Sequence, residues 1–288
     1  MKRPPLVPTV ILLLMIAAAV FAPWVAPHDP LRQNLMARLT PPVWETGHWT
    51  YILGTDALGR DVLSNIIYGL QVSLLAGFVS VAIGVAIGAT IGLIAGYQGG
   101  WFDTVTMRAA DVQLSLPAVL IALAALAIFG RGLWIVIVVI GVVDWAQYAR
   151  LVRSSVLAER EKQYATAAAA IGASPARILF RHILPNVTDP ILVQISVDIP
   201  RAVELAATLS FLGLGVPTTT PALGLRIAQG YQYLFSGAWW TSVLPGVALV
   251  LLVLCENLIG DWLRDAIDPR YRSNKKIRRA AAKAAAKS

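Results

Sequence analysis

The sequence predicts an all-α, polytopic membrane protein with six transmembrane helices. Three observations carry that expectation. Of the 288 residues, 57% are hydrophobic and only 14% charged, the mean hydropathy is +0.66, and apolar stretches near the ~20 residues that cross a bilayer's hydrocarbon recur along the chain. An ordinary soluble domain is far more polar. The net charge of +8 raises nucleic-acid binding as a possibility. The excess, however, lies in short stretches beside apolar runs and not on one soluble domain, so no nucleic-acid partner is expected.

The six spans are read at 7–25, 70–96, 106–129, 133–152, 187–213 and 241–262. Lys2 and Arg3 precede the first, and Ala17 to Ala22 are mostly small, as in a cleaved signal peptide. Pro23 after Ala22 disfavours cleavage there, so 1–25 is read as a cytoplasmic N-terminus with a retained helix. Residues 26–69 form an external loop, in which Pro27, Pro30, Pro41 and Pro42 argue against another span. The second span opens a five-helix core over 70–262. It sets Ala76, Ser80, Gly84, Gly88, Gly92 and Gly96 at four-residue spacing, a small-residue ridge that lets another backbone come close. Packing inside one subunit is preferred to a subunit contact.

In the third span Arg108 and Asp111, three apart, are expected to pair locally, and Pro117 to kink the helix. Pro217 and Pro221 mark 214–240 as a second external segment, and both external segments are expected to cover the outer mouth of the bundle. Trp239 and Trp240 suit an interfacial belt. Cys255, the single cysteine, lies in an apolar run and reads as core. The basic tail 263–288, with KKIRR at 275–279, suits contact with anionic lipid or simple solvation.

Charge sets the orientation, because Lys and Arg of short loops stay cytoplasmic. With both termini inside, eighteen basic residues are internal and five external, Arg201 falling within a span. The longest internal loop, 153–186, carries two helix signatures. Ala165 to Ala170, broken only by Thr166, is strongly helix-forming and ends at Gly172, suited to a left-handed cap. Ser174 and Pro175 restart a helix as N-cap and first-turn residue, and Pro185 is expected to stop it. Arg160, Lys162, Arg177, Arg181 and His182 surround a nearly bare alanine surface, open to a partner's groove or serving only the topology rule.

Ionisable groups at membrane depth are costly and usually face a bundle interior or a wet path. Asp144, Asp198, Arg201, Glu204 and Glu256 are the candidates. Arg201 can reach Asp198 or Glu204 one turn away. Asp144 has no partner on its own helix, and Asp144 and Glu204 are expected to line a translocation path. No catalytic residue and no metal set emerges: His28, His48 and His182 are scattered. No glycine is followed by lysine, so the phosphate-binding G-x-x-x-x-G-K-[ST] loop is missing and no nucleotide cofactor is expected on this chain.

The run Thr166-Ala167-Ala168, then Gly172, then His182-Ile183-Leu184-Pro185-Asn186, resembles the EAA loop of ABC-importer permeases. LGTDALGRDVLS (53–64), MRAADVQLSLP (107–117), YARLVR (148–153), LSFLGLGV (209–216) and NLIGDWLRDAIDPR (257–270) are similar to further signatures of the dipeptide and oligopeptide (and nickel) permease family, C-type subunit. The resemblance implies a type I ABC importer permease fold in a bacterial inner membrane. It further implies a homologous permease subunit, two ATP-binding cassette subunits that bind the ATP, and an external substrate-binding protein. By that likeness Tyr164, Thr166, Ala167, Ala168, Gly172, Arg181, His182, Pro185 and Asn186 form the element coupled to the ATPase. Thr166 departs from the family's usual glutamate, which leaves a charge-assisted contact to Glu161 or lost. Small peptides are the expected cargo, with nickel the alternative; an ion-coupled secondary transporter is the alternative of a different class.

Overall fold

The computed structural model describes residues 4–267, and among them the secondary structure is helical, with no strand. Helix α1 is Leu6–Val20, α2 Val62–Gln98, α3 Gly100–Leu114, α4 Ala118–Phe129 and α5 Leu133–Arg160. Two short helices follow, α6 Gln163–Ala170 and α7 Pro175–Ile178, and then the long α8 Leu184–Phe211. Helix α9 is Leu223–Tyr231 and α10 Trp240–Ile267. By length and composition three helices suffice to cross a membrane (α2, α5 and α10), and α3 with α4 makes a fourth if the bent pair is one span. Of the other two expected spans, α1 is short, with 15 residues. Helix α8 has the length but carries Asp189, Asp198, Arg201 and Glu204.

The centre of the fold is the pair α2 and α5, running in parallel. All six residues of the small ridge are buried. A Cβ on Gly84 would lie 3.1 Å from Asp144 Cβ, on Gly88 2.3 Å from the Trp145 carbonyl, on Gly92 2.5 Å from the Ala149 carbonyl and on Gly96 2.9 Å from Val156 Cβ. The ridge therefore packs inside one subunit, as expected, and hydrogen atoms on four successive turns let the two backbones touch. Helix α8 lies antiparallel across α2, with Ile199 and Val203 against Gly77. Helix α10 returns beside α8, Gly260 meeting the Ser196 carbonyl. Cys255 is buried in α10.

Several local expectations need correction. The helix that carries the second span begins at Val62, ahead of the expected start near 70, because the Asp61 carboxylate caps it by accepting the Ser64 N–H at 2.9 Å. Pro117 does more than kink the third span: α3 and α4 meet at 94°. Pro117 lacks an N–H and pushes Leu116 away from helical geometry. Asp111 pairs with Arg150 of α5, not with Arg108. Pro185 stops nothing. It sits in the first turn of α8, directly after a wider π-helical turn, and the helix continues through it. Trp240 is not an interfacial belt residue: it is buried and its Nε1–H donates to the Thr55 carbonyl at 3.1 Å. The polar loop over 26–61 folds down on the end of α10 and covers it, while Trp239 stacks near Trp44 with centroids 6.3 Å apart. The KKIRR segment lies outside the described residues.

Candidate functional site

The short hairpin α6–α7 stands at one end of the bundle, at the ends of α2 and α5, and the loops 26–61 and 212–240 stand at the other. Ala165 and Ala168 face inward, packed with Ile178, Leu179 and Ile183 in one apolar cluster that also holds Leu93, Val152 and Val156. Gly172 takes φ +83°, its N–H donating to the Ala169 carbonyl at 3.0 Å, and the Ala173 N–H donates to the Ala168 carbonyl. Ser174 accepts the Arg177 N–H, and Pro175 occupies the first turn, as read from sequence. A π-helical turn, Leu179–Ile183, carries Arg181 and His182 into α8 without a break.

The outward face is small and apolar. Thr166, Ala167, Ala169, Ala170, Gly172, Arg181 and Pro185 are exposed, and Ile171 projects with 86% of its surface free. Ala168, one of the residues expected to couple to the ATPase, is 7% exposed and packs the hairpin against the bundle. The Thr166 hydroxyl turns back to its own helix, donating to the Gln163 carbonyl at 3.0 Å. It therefore supplies no outward charge where a glutamate is usual.

Tyr164 and Asn186, twenty-two residues apart, meet: Asn186 Nδ2 donates to the Tyr164 hydroxyl at 3.3 Å and to the His182 carbonyl at 2.7 Å. The Tyr164 hydroxyl in turn donates to Glu159, which also pairs with Lys162 at 2.6 Å. This clasp joins both feet of the hairpin to the end of α5. Burial and then the Glu159 acceptor push the Tyr164 phenol up to about 12. A raised folded value means the clasp is fully made below the ordinary tyrosine pKa near ~10 and is lost as pH rises through the folded value. Tyr164→Phe is expected to speed amide exchange in α6 by up to about fivefold, the equivalent of one hydrogen bond of ~1 kcal/mol. Mass-resolved hydrogen exchange checks this; unchanged rates across Gln163–Ala170 remove the clasp.

Sequence reasoning missed Glu159, for which no motif gives a signal. Ile171, one large apolar residue closing a run of alanines, was a signal that could have been read.

On a partly open face of the bundle Arg201 bridges two helices. Its Nη2–H donates to Asp144 Oδ1 of α5 at 2.7 Å, and its Nε lies 3.2 Å from Asp198 Oδ1. Gln194 donates to the other Asp198 oxygen at 3.1 Å. Asp144 is therefore the second anion of a triad and not an isolated charge. The carboxylates are buried, 4% and 1% exposed, whereas the arginine is 43% exposed. It borders a cavity of about 280 Å³ together with Asp144, Glu204 and Thr208. The two path candidates thus reach one cavity, with Arg201 between them. Glu256 is buried in α10, and neither carboxylate oxygen has a hydrogen-bond partner among the described residues.

A bundle of apolar helices that presents a small hairpin at one end and keeps an ion-paired triad beside an open cavity is built as the body of a membrane transporter. Its fold is that of a type I ABC importer permease: it matches a solved structure described as inward-facing conformations of the MetNI methionine ABC transporter, with TM-score 0.55 and 24% identity, over 71% of this chain and 96% of that one. Residues 88–273 match the family described as binding-protein-dependent transport system inner membrane component, and this chain belongs to that family. Residues 6–42 match the N-terminal TM domain of oligopeptide transport permease C. The di/tripeptide transport system permease protein DppC of Pseudomonas aeruginosa is 43% identical over 91% of this chain and 86% of its own length. The dipeptide transport system permease protein DppC of Haemophilus influenzae is 39% identical over 94% and 92%, and that of Escherichia coli 41% over 91% and 88%. The expected family, permease fold and inner-membrane location are met; of the six expected spans, three helices, or four with the bent pair, qualify by length and composition among the described residues.

Proposed function

We propose that this chain is the membrane-spanning subunit of an ATP-driven importer of small peptides. It works beside a homologous permease subunit, two ATP-binding cassette subunits and an external binding protein. The observation that carries the reading is the set of relatives named for dipeptide and di/tripeptide transport, which are 39–43% identical over more than nine-tenths of the chain. ATP is bound and hydrolysed by the cassette subunits, since this sequence has no phosphate-binding loop.

The α6–α7 hairpin is the coupling element, on the cytoplasmic side as the distribution of basic residues directs. Ala167, Ala170, Ile171 and Gly172 offer a cassette a low-relief apolar surface with one projecting anchor. Ala165 and Ala168 lock that surface to α2 and α5, so displacement of the hairpin reaches the bundle as a rigid-body force. The cavity beside Arg201, Asp144 and Glu204 is a polar stretch of the path.

A cysteine at Ile171 is expected to crosslink to the cassette subunit in membranes, and one at Ala168 to stay unreactive. The assembled complex in vesicles is expected to take up a labelled dipeptide only with ATP and the binding protein, and to do so in the presence of an uncoupler. An Ile171 cysteine that labels with water-soluble maleimide but never yields a cassette adduct removes the coupling assignment. Uptake that the uncoupler abolishes removes the ATP-driven reading.

A further inference from the structure

At the end opposite the hairpin, the segment DALGRD (56–61) folds around a single carboxylate. Asp56 accepts the Leu58 N–H at 2.8 Å, the Arg60 N–H at 2.9 Å and the Arg60 Nε–H at 2.6 Å. The tight turn that results drives the Arg60 side chain inward, leaving it 5% exposed. From α9, Arg226 comes to the same place and is 4% exposed. Both guanidinium groups donate to one oxygen, Gln229 Oε1: Arg60 Nη2 at 3.1 Å and Arg226 Nη1 at 2.9 Å.

Two buried cations thus share one neutral acceptor, and among the described residues only one carboxylate, Asp56, pairs with either of them. A buried charge without a partner is costly, and like charges brought together add to that cost. Burial and then the neighbouring Arg60 push the Arg226 guanidinium down to about 10. Arg226 Nε and Nη2 are buried with no hydrogen-bond partner among the described residues. These two N–H groups form the side-on edge of the guanidinium, whose spacing matches the two oxygens of a carboxylate. Arg226 also lines a cavity of about 210 Å³ with Asp56, Arg60, Gln229, Tyr233 and Thr241, among others, its Nε and Nη2 being turned away from that space.

We propose that this cavity is a carboxylate-binding site, in which Arg226 turns its unpaired edge into the cavity and, with Arg60 beside it, grips both oxygens of the incoming group. Neither the ion-paired triad nor the coupling hairpin uses these residues. The carboxylate has two possible sources, a small solute such as a peptide with a free C-terminus, or an acidic side chain of the docked external binding protein.

The experiment separates the sources. In the first arm the assembled complex in nanodiscs is titrated with N-acetylglycine, and with N-acetylglycinamide as the uncharged control, while its melting temperature is followed. A small-solute site gives a saturable rise with the acid only, which Arg226→Gln abolishes and Arg226→Lys weakens at least tenfold in midpoint concentration. Without probe, Arg226→Gln is expected to melt no lower than wild type, because it removes an unpaired buried cation; a purely structural arginine would lose stability. The second arm, which rests on the proposed function, measures docking of the binding protein. A site for a protein carboxylate shows no response to N-acetylglycine but at least tenfold weaker docking in Arg226→Gln, with Arg226→Lys intermediate. If the acid and the amide act alike, or if neither arm responds to Arg226→Gln, the proposal is overturned. Because the first arm needs no binding protein, a failed peptide-import reading and a failed carboxylate site give different results.

Discussion

Gly88→Val will prevent the chain from accumulating in folded form in the membrane. Its first added carbon alone would lie 2.3 Å from the Trp145 carbonyl oxygen, 2.6 Å from Tyr148 Cβ and 3.0 Å from the Ala149 N. Two of these three are backbone atoms of α5 and cannot rotate away as a side-chain tip could, so the helices themselves must separate. Gly84, Gly92 and Gly96 keep α2 close to the same helix on neighbouring turns, so separation at Gly88 also strips contact from those turns. Overpacking of a well-packed core typically costs about 1–3 kcal/mol and more where backbone must move; here the upper end of that range or beyond is expected. Gly246→Ala is the matched control, since a Cβ there meets nothing within 4 Å. Detergent-extracted, fluorescently tagged protein from membranes should show a monodisperse peak for Gly246→Ala and little or none for Gly88→Val. A Gly88→Val protein at wild-type level with an unchanged melting temperature would falsify the close-packed ridge.

The contrast between that ridge and the residues around it shows what a sequence holds. A four-residue repeat of small side chains is a local pattern with one geometric meaning, and the structure places it where that meaning requires. Gly172, Ser174 and Pro175 were legible for the same reason, since a left-handed cap and an N-cap depend on a few neighbouring residues. Pro185 was not: whether a proline ends one helix or opens the next depends on the π-helical turn before it, which no short-range signal announces. Asp111 was paired with the wrong arginine because proximity in sequence was the only measure at hand, and Arg150 approaches it from another helix. Trp240 has the composition of an interfacial anchor, yet a polar loop from nearly two hundred residues earlier in the chain folds over it. Within the alanine hairpin the positions could be named but not their directions: Ala168 faces the core, and Ile171, which faces outward, lay between the residues singled out in the sequence.

Arg201→Gln tests the triad most severely, because it leaves Asp144 and Asp198 facing one another without their cation. Both carboxylates are almost wholly buried, and removing one partner of a buried ion pair costs about 3–5 kcal/mol. Arg201 is partly open to the cavity, which admits water to the carboxylates, so the lower end of that range is expected. A melting temperature lowered by several degrees and reduced membrane accumulation should follow. Neutralising the acids as well, in the triple variant Arg201→Gln with Asp144→Asn and Asp198→Asn, removes the unpaired charge and should restore accumulation. Transport answers a different question. If Arg201 only neutralises its neighbours, peptide uptake returns with the fold. If it also presents charge to a passing peptide, with Glu204 on the same cavity wall, uptake in the triple variant stays below about a tenth of wild type, the tenfold that ~1.4 kcal/mol of lost stabilisation represents. Normal folding of the Arg201→Gln single variant would remove the energetic role of the triad, and full uptake in the triple variant would remove its place on the path. The two readouts assign the cost of burying these charges either to holding α5 against α8 or to giving the cavity a charge pattern that a peptide can follow.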